Sequence, residues 1–275
     1  MPRAALWLPF AAVSSFGFHL ILRLGDDRVI APSRVLRRRW ASELCALARE
    51  FDVIAWKLAD THLHIVVLGT LTRAEELIRR LRIWVSAALR PGVPLEVQRT
   101  KPLAGQSHLE SAFFYVLRQD DHHGVETDLH QDSSAVLDVL GLRVLSPELA
   151  GRVRERLPRL TRPVLLSLLG VAELGEAVHV QVLADAAAAA FGLVDMEGNR
   201  PLVVRARRAA VAATRDLRPS MVADALGLTP QAVCRLRKAD VPTSDMRAVR
   251  LQMCLRIARA APPLFVREPA ATAYE

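Results

Sequence analysis

Asp52-Val53-Ile54-Ala55-Trp56-Lys57-Leu58-Ala59-Asp60-Thr61-His62-Leu63-His64-Ile65-Val66-Val67-Leu68 reads as two strands that fold back on each other near Ala59-Asp60. In the second strand Leu63, Ile65 and Val67 alternate with His62, His64, Val66 and Leu68, the period-two pattern of a half-buried strand. Two histidines at i and i+2 on a strand leave the sheet on the same face, where both imidazoles can share one metal ion.

The flanks of this hairpin set the architecture. Upstream, Phe16 to Leu24 reads as a strand with partial alternation, and Gly25-Asp26-Asp27 is a turn signal. Pro32-Ser33 then opens a helix to about Glu50, with Val35, Leu36, Trp40, Leu44, Cys45, Leu47 and Ala48 at helical spacing. Downstream, a second helix is expected over Arg73 to Leu89, with Thr72 as its N-cap, Glu75-Glu76 in its first turn and Pro91-Gly92 as its stop. Val93 to Arg99 is a fourth strand. Ser107 or His108 starts a third helix, which carries Tyr115 and ends before His122-His123-Gly124. The order β-α-β-β-α-β is the split, ferredoxin-like pattern, in which two helices cover one face of an antiparallel sheet and the other face can hold a site.

Beyond about residue 130 the chain changes character. Helices are expected at 136–142, 147–160, 163–169 and 178–191, then a loop at 192–200, then a basic helical module from Val203. The fold class is therefore α+β, a ferredoxin-like sheet followed by an all-α C-terminal region. The expected divisions are a sheet domain at 1–130, a helical connector at 131–202, a helix-turn-helix domain at 203–262 and a disordered tail at 263–275 that includes Tyr274.

Composition narrows the classes. The chain has 275 residues, 51% of them hydrophobic, enough for one large or two small domains. Cys45, Cys234 and Cys254 are scattered, which argues against a disulfide framework or a thiolate zinc site. Met1 to Val13 is apolar but short, carries Pro9 and has no small-residue cleavage site, so it is read as a lead-in to the first strand rather than a signal segment. No run of about 18 apolar residues occurs, so no membrane span is expected and a cytoplasmic, nucleoid-associated protein is the default. The net charge is +8, and its location is informative. Arg205 to Arg259 holds 12 basic and 4 acidic residues, which accounts for the whole excess. A basic module on a neutral body points to nucleic acid.

Within that module, Pro219 to Lys238 reads as a helix-turn-helix. Ser220 is expected to cap a helix over Met221–Leu226, and Gly227-Leu228-Thr229 makes the turn. Thr229 caps a second helix with Pro230 at its first position. That helix would enter the major groove of double-stranded DNA and offer Gln231, Arg235 and Lys238 to bases or phosphates.

Tyr115 and Gln119, four apart on a helix, are expected to share a face. Phenol ionises near pH 10 (about), so it is a weak nucleophile until a nearby divalent cation favours its anion. His62 and His64 need a third donor to complete a cation site. Gln119 offers a carbonyl oxygen; His19, His122 and His123 are the alternatives.

Together these pieces resemble the HUH endonucleases with a single catalytic tyrosine, especially the REP-associated tyrosine transposases. His19-Leu20-Ile21-Leu22-Arg23 resembles the first-strand His-x-x-x-Arg of that family. Ala55 to Val66 resembles the strand pair ending in His-hydrophobe-His, and Tyr115-Val116-Leu117-Arg118-Gln119 resembles the tyrosine helix. The likeness covers roughly residues 14–125. Relatives often follow the tyrosine with Asn-Pro-Val-Arg-Ala-Gly, whereas this chain has Gln119-Asp120-Asp121-His122-His123-Gly124. The resemblance implies that His62, His64 and Gln119 hold Mg²⁺ or Mn²⁺. It also implies that Tyr115 attacks single-stranded DNA containing a hairpin, forming a 5′-phosphotyrosine and releasing a 3′ hydroxyl. The expectation is a transposase-like strand transferase. Alternatives are a domesticated or inactive DNA-binding regulator and a rolling-circle or conjugative initiator. A homodimer, in which Tyr115 serves a neighbour's cation site, stands beside the monomer.

Overall fold

The computed structural model describes residues 15–90, 92–119, 130–175 and 178–260. Met1 to Val13, His122, His123 and the 263–275 tail lie outside the described residues. The protein is α+β, with one four-stranded antiparallel sheet and a largely helical remainder.

Strands β1 (Gly17–Leu24), β2 (Val53–Ala59), β3 (His62–Leu68) and β4 (Leu95–Leu103) lie in the order β2-β3-β1-β4. β1 and β3 are central, and both faces of β1 are covered, so its alternation is blurred: His19 and Ile21 are buried as well as Leu20 and Leu22. Gly17 occupies the tightest point of that pairing, where a Cβ would sit 2.4 Å from the Val67 carbonyl oxygen. β4 is an edge strand and reads accordingly, with exposed Gln98 and Arg99 and a tolerated Pro102. The edge of β2 is covered. Ser133 accepts from the Leu58 amide (2.9 Å), and the Ala135 amide donates to the Trp56 carbonyl (3.0 Å).

Helix α1 (Arg34–Glu50) is capped by Ser33, whose hydroxyl accepts from the Leu36 amide. Helix α2 (Leu71–Trp84) begins two residues before its expected start. Thr70, not Thr72, is its N-cap, accepting from the Arg73 amide, so Glu75 and Glu76 fall outside the first turn. Glu76 pairs with Arg79 one turn on instead. α2 continues into one π-helical turn, Val85–Leu89, and ends at Arg90 in the left-handed region (φ 46°). Trp40 of α1 meets Trp84 of α2 edge to face, with ring centroids 4.8 Å apart. Helix α3 (Gln106–Leu117) packs on β2 and β3 and buries Leu109, Ala112, Phe113 and Val116, a single helical stripe.

The helices that follow are shorter than the apolar runs suggest. α4 is Val136–Val139, α5 Pro147–Arg156 and α6 Arg162–Ser167. Gly141, at φ 73°, ends the first run, and Pro158 ends the second. The expected 178–191 helix is a 3₁₀ turn, Val180–Val182, leading into α7 (Leu183–Ala190). α8 (Pro201–Ala213), α9 (Pro219–Leu226), α10 (Pro230–Leu236) and α11 (Thr243–Ala260) complete the chain. α9 starts at Pro219 rather than being capped by Ser220, because proline's fixed φ suits the first helical position.

Two hydrophobic cores result. The first joins the sheet, α1–α3 and α4–α6. The second runs from Leu183 to Met253 through α7–α11. The 131–202 stretch therefore divides between them. Buried charges bridge the two. Arg38 of α1 reaches Asp132 (3.0 Å) and Asp185 of α7 (2.9 Å), and Arg256 of α11 reaches Asp185 (2.6 Å).

Candidate functional site

The register sorts the sheet into two faces. His64 lies opposite Ile21 of β1 and Lys57 of β2; His62 lies opposite Arg23 and Ala59. Facing pairs in an antiparallel ladder share a side, so His19, Ile21, Arg23, Lys57, His62 and His64 all stand on one face. Leu20, Leu22, Leu63 and Ile65, fully buried, form the other.

α3 lies on the histidine face. The Tyr115 ring centroid is 5.6 Å from that of His19 and 6.1 Å from that of His64. His62 and His64 have ring centroids 6.1 Å apart. Tyr115 is 41% exposed although its helix neighbours Phe113 and Val116 are buried. The tyrosine thus sits at the rim of the face, open to solvent and edge-on to the imidazoles.

His19 makes the most intimate contact, its Nε2 standing 3.1 Å from Nδ1 of His64. That separation suits an N–H···N hydrogen bond. It also suits two nitrogens ligating one ion at about 2.1 Å each, which stand roughly 3.0–3.4 Å apart in cis-octahedral or tetrahedral geometry. Burial pulls the His19 pKa down to about 4, helped by the positive fields of Lys101 and His108. The ring is neutral near pH 7 and keeps a lone pair to offer. The other imidazole, His62, is oriented by Thr61, whose Oγ1 lies 2.8 Å from its Nδ1.

Gln119 follows the regular span of α3. It is buried, and its amide nitrogen donates to the Tyr115 carbonyl (2.9 Å), so its exposure differs sharply from that of Tyr115 although they are four residues apart. Among the described third donors proposed from the sequence, His19 is in contact with His64, while His122 and His123 lie outside the described residues. Among the described residues, no group of three or more His, Cys, Asp or Glu side chains converges in metal-binding geometry. The donor chemistry nevertheless fits a divalent cation, because His19 is kept neutral and sits at ligand spacing from His64.

One member of the face escaped sequence reasoning. Lys57 is fully buried, opposite His64, and its Nζ donates to Gln131 (2.7 Å). Its neighbours in β2 are apolar, and only the cross-strand register reveals its place. Arg99 and Lys101 of β4 stand opposite Ile21 and His19, adding positive charge along the same face.

The basic module presents a second surface. Gly227 occupies the left-handed region (φ 62°) between α9 and α10, and Thr229 Oγ1 accepts from the Ala232 amide (3.2 Å). Arg237 donates to the Leu217 carbonyl, clamping the end of α10 to the approach of α9. Gln231, Arg235 and Lys238 are all exposed. Arg235 and Lys238 line a cleft with Arg207 and Arg208 of α8, so four cations rim one surface. Among the described residues, no helix is long and apolar enough to cross a membrane.

No protein-family model matches the chain, and neither the curated proteins nor the solved structures contain a significant match.

Proposed function

We propose that the protein is a metal-dependent, tyrosine-type single-stranded DNA endonuclease and strand transferase of the HUH kind, on a ferredoxin-like sheet, with a helix-turn-helix that finds its site in double-stranded DNA. The observation that carries this reading is the approach of the Tyr115 ring to His19 and His64. The β-α-β-β-α-β element order with β1 between β3 and β4 supports the sheet reading. The left-handed Gly227 and the capped α10 support the helix-turn-helix.

His62 and His64 would hold Mg²⁺ or Mn²⁺, with Gln119 or His19 as third donor. Bound there, the cation would polarise the scissile phosphate and favour the phenolate. Tyr115 Oη then forms a bond to phosphorus as the bond to O3′ breaks. The downstream fragment stays on the tyrosine through its 5′ phosphate, and the upstream fragment leaves with its O3′ taking a proton from solvent to become a 3′ hydroxyl. The phenol proton passes to solvent, to which the tyrosine is open. A later 3′ hydroxyl reverses the step, and because one phosphodiester replaces another, no external energy source is needed. Outward-facing Gln231, Arg235 and Lys238 would contact duplex bases and phosphates.

The test is incubation of the chain with end-labelled single-stranded oligonucleotides and Mn²⁺, followed by a denaturing gel. A covalent adduct is expected that disappears in Tyr115→Phe and in His64→Ala. An adduct surviving Tyr115→Phe refutes the assignment. No adduct on any hairpin-bearing strand, with duplex binding intact, makes the protein a DNA-binding regulator.

A further inference from the structure

We infer that the cleft between α4–α6 on one side and α8 and α11 on the other, where the two cores meet, is a binding site for a phosphate-bearing anion. This cleft, about 560 Å³ in volume, is lined by elements from both cores. It contains neither Tyr115 nor the histidines, so the inference stands apart from the tyrosine chemistry.

Its charge is unbalanced in a specific way. Two carboxylates reach it, and each is already engaged by an arginine. Asp138 pairs with buried Arg143 (Nε to Oδ1, 3.0 Å). Asp245 takes a fork from Arg205 at 2.6 and 2.8 Å. Three further arginines line the same cleft: Arg154 on α5, Arg162 at the start of α6 and Arg247 in the first turns of α11. All three are exposed, and no carboxylate among the described residues pairs with them. Among the described residues, Arg154 donates to the Ala150 carbonyl and to no carboxylate.

Three exposed guanidinium groups from three elements around one concavity raise the positive potential there and favour an anion. Guanidinium is the side chain best matched to phosphate, because its planar fork donates two parallel hydrogen bonds. The two carboxylates that line the cleft, Asp138 and Asp245, are already occupied by Arg143 and Arg205. The phosphate has two sources, a free nucleotide or the backbone of a nucleic acid strand.

The experiment measures fluorescence anisotropy of a labelled oligothymidylate with the full chain in EDTA, so that no strand chemistry intervenes. Inorganic phosphate and ATP serve as competitors. Arg162→Ala/Arg247→Ala is expected to weaken oligonucleotide or ATP binding. If the strand backbone is the ligand, the slope of log affinity against log salt falls by about 1.4, for two lost single-strand phosphate contacts. Displacement by ATP or phosphate that vanishes in the variant identifies a free phosphate ligand; oligonucleotide binding that resists both identifies the backbone. Arg162→Lys/Arg247→Lys keeps the charge but loses the fork, and should restore the salt slope and part of the affinity. Equal affinity and salt slope in wild type and the alanine variant with every probe overturns the inference. So does a loss that follows a lowered melting temperature and is not restored by lysine.

Discussion

The imidazole of His19 changes how the candidate centre reads. In sequence it is one of four alternatives for a third donor; in space its Nε2 is 3.1 Å from His64. If His19 ligates, His19→Ala should raise the Mn²⁺ concentration needed for half-maximal adduct formation about tenfold or more, a loss typical of weakened metal sites. A Mn²⁺ titration that superimposes on wild type assigns the third position to Gln119 or to the histidines outside the described residues. The two imidazoles also bias the choice of ion. Mg²⁺ prefers an all-oxygen octahedron, whereas Mn²⁺ accepts nitrogen more readily, so adduct yield at equal ion concentration should be higher with Mn²⁺. Lys57 acts at the same scale. Truncating it leaves the Gln131 carbonyl oxygen short of a buried partner, and Lys57→Met should cost about 1–3 kcal/mol in urea unfolding.

Single elements decide how those residues are presented. β1 is central, so its histidine is sandwiched between β3 and β4, and α3 can lay Tyr115 across it. The short α10 depends on its first turn. With only seven residues, it relies on Thr229 for a cap and on Pro230 for a preset φ. Thr229→Ala should lower thermal stability by about 1 kcal/mol and weaken duplex binding, measured by calorimetry and by mobility shift. Unchanged duplex affinity at a lowered melting temperature would mean that α10 is not the DNA-reading helix. Most elements were visible from periodicity and turn residues, because those signals are local. Their ends were less visible. Thr70 and Thr72 are chemically identical caps, and only packing of Ala74, Leu77 and Leu81 selects the first. Pro158 and Gly141 cut apolar runs that spacing alone would extend.

At the scale of the whole molecule, buried charge ties the sheet body to the basic module. Arg38 and Asp132 are both buried, and Asp185 collects Arg34, Arg38 and Arg256. Removing one partner from such a set leaves a charge without compensation, so Arg38→Ala should destabilise the chain by about 3–5 kcal/mol in denaturant unfolding. Acid should act on the same junction. Burial pushes the Asp185 carboxyl up, but Arg256 and Arg38 overcome that and hold it at about 2, below its usual 3.8. Folding therefore favours the ionised form. The contribution is complete above about pH 4 and is lost as pH falls through about 2. Denaturant midpoints measured from pH 5 to pH 2 should fall in wild type and fall less in Asp185→Asn. Parallel curves would show that the junction does not titrate.

Local grammar in the chain settled the strand hairpin, the shared face of His62 and His64, the helical C-terminal half, the left-handed Gly227 and the concentration of positive charge beyond Val203. Each depends on neighbours within a few residues, where period, turn chemistry and capping act directly. Contacts between distant segments were settled only by folding. His19 and His64 are 45 residues apart and meet because β1 inserts between β3 and β4. Lys57 joins their face through cross-strand register, residues 131–135 close the β2 edge, and three arginines from separate helices converge on one cleft. Pairing and burial at such separations depend on the joint packing of the chain, and no local pattern records them.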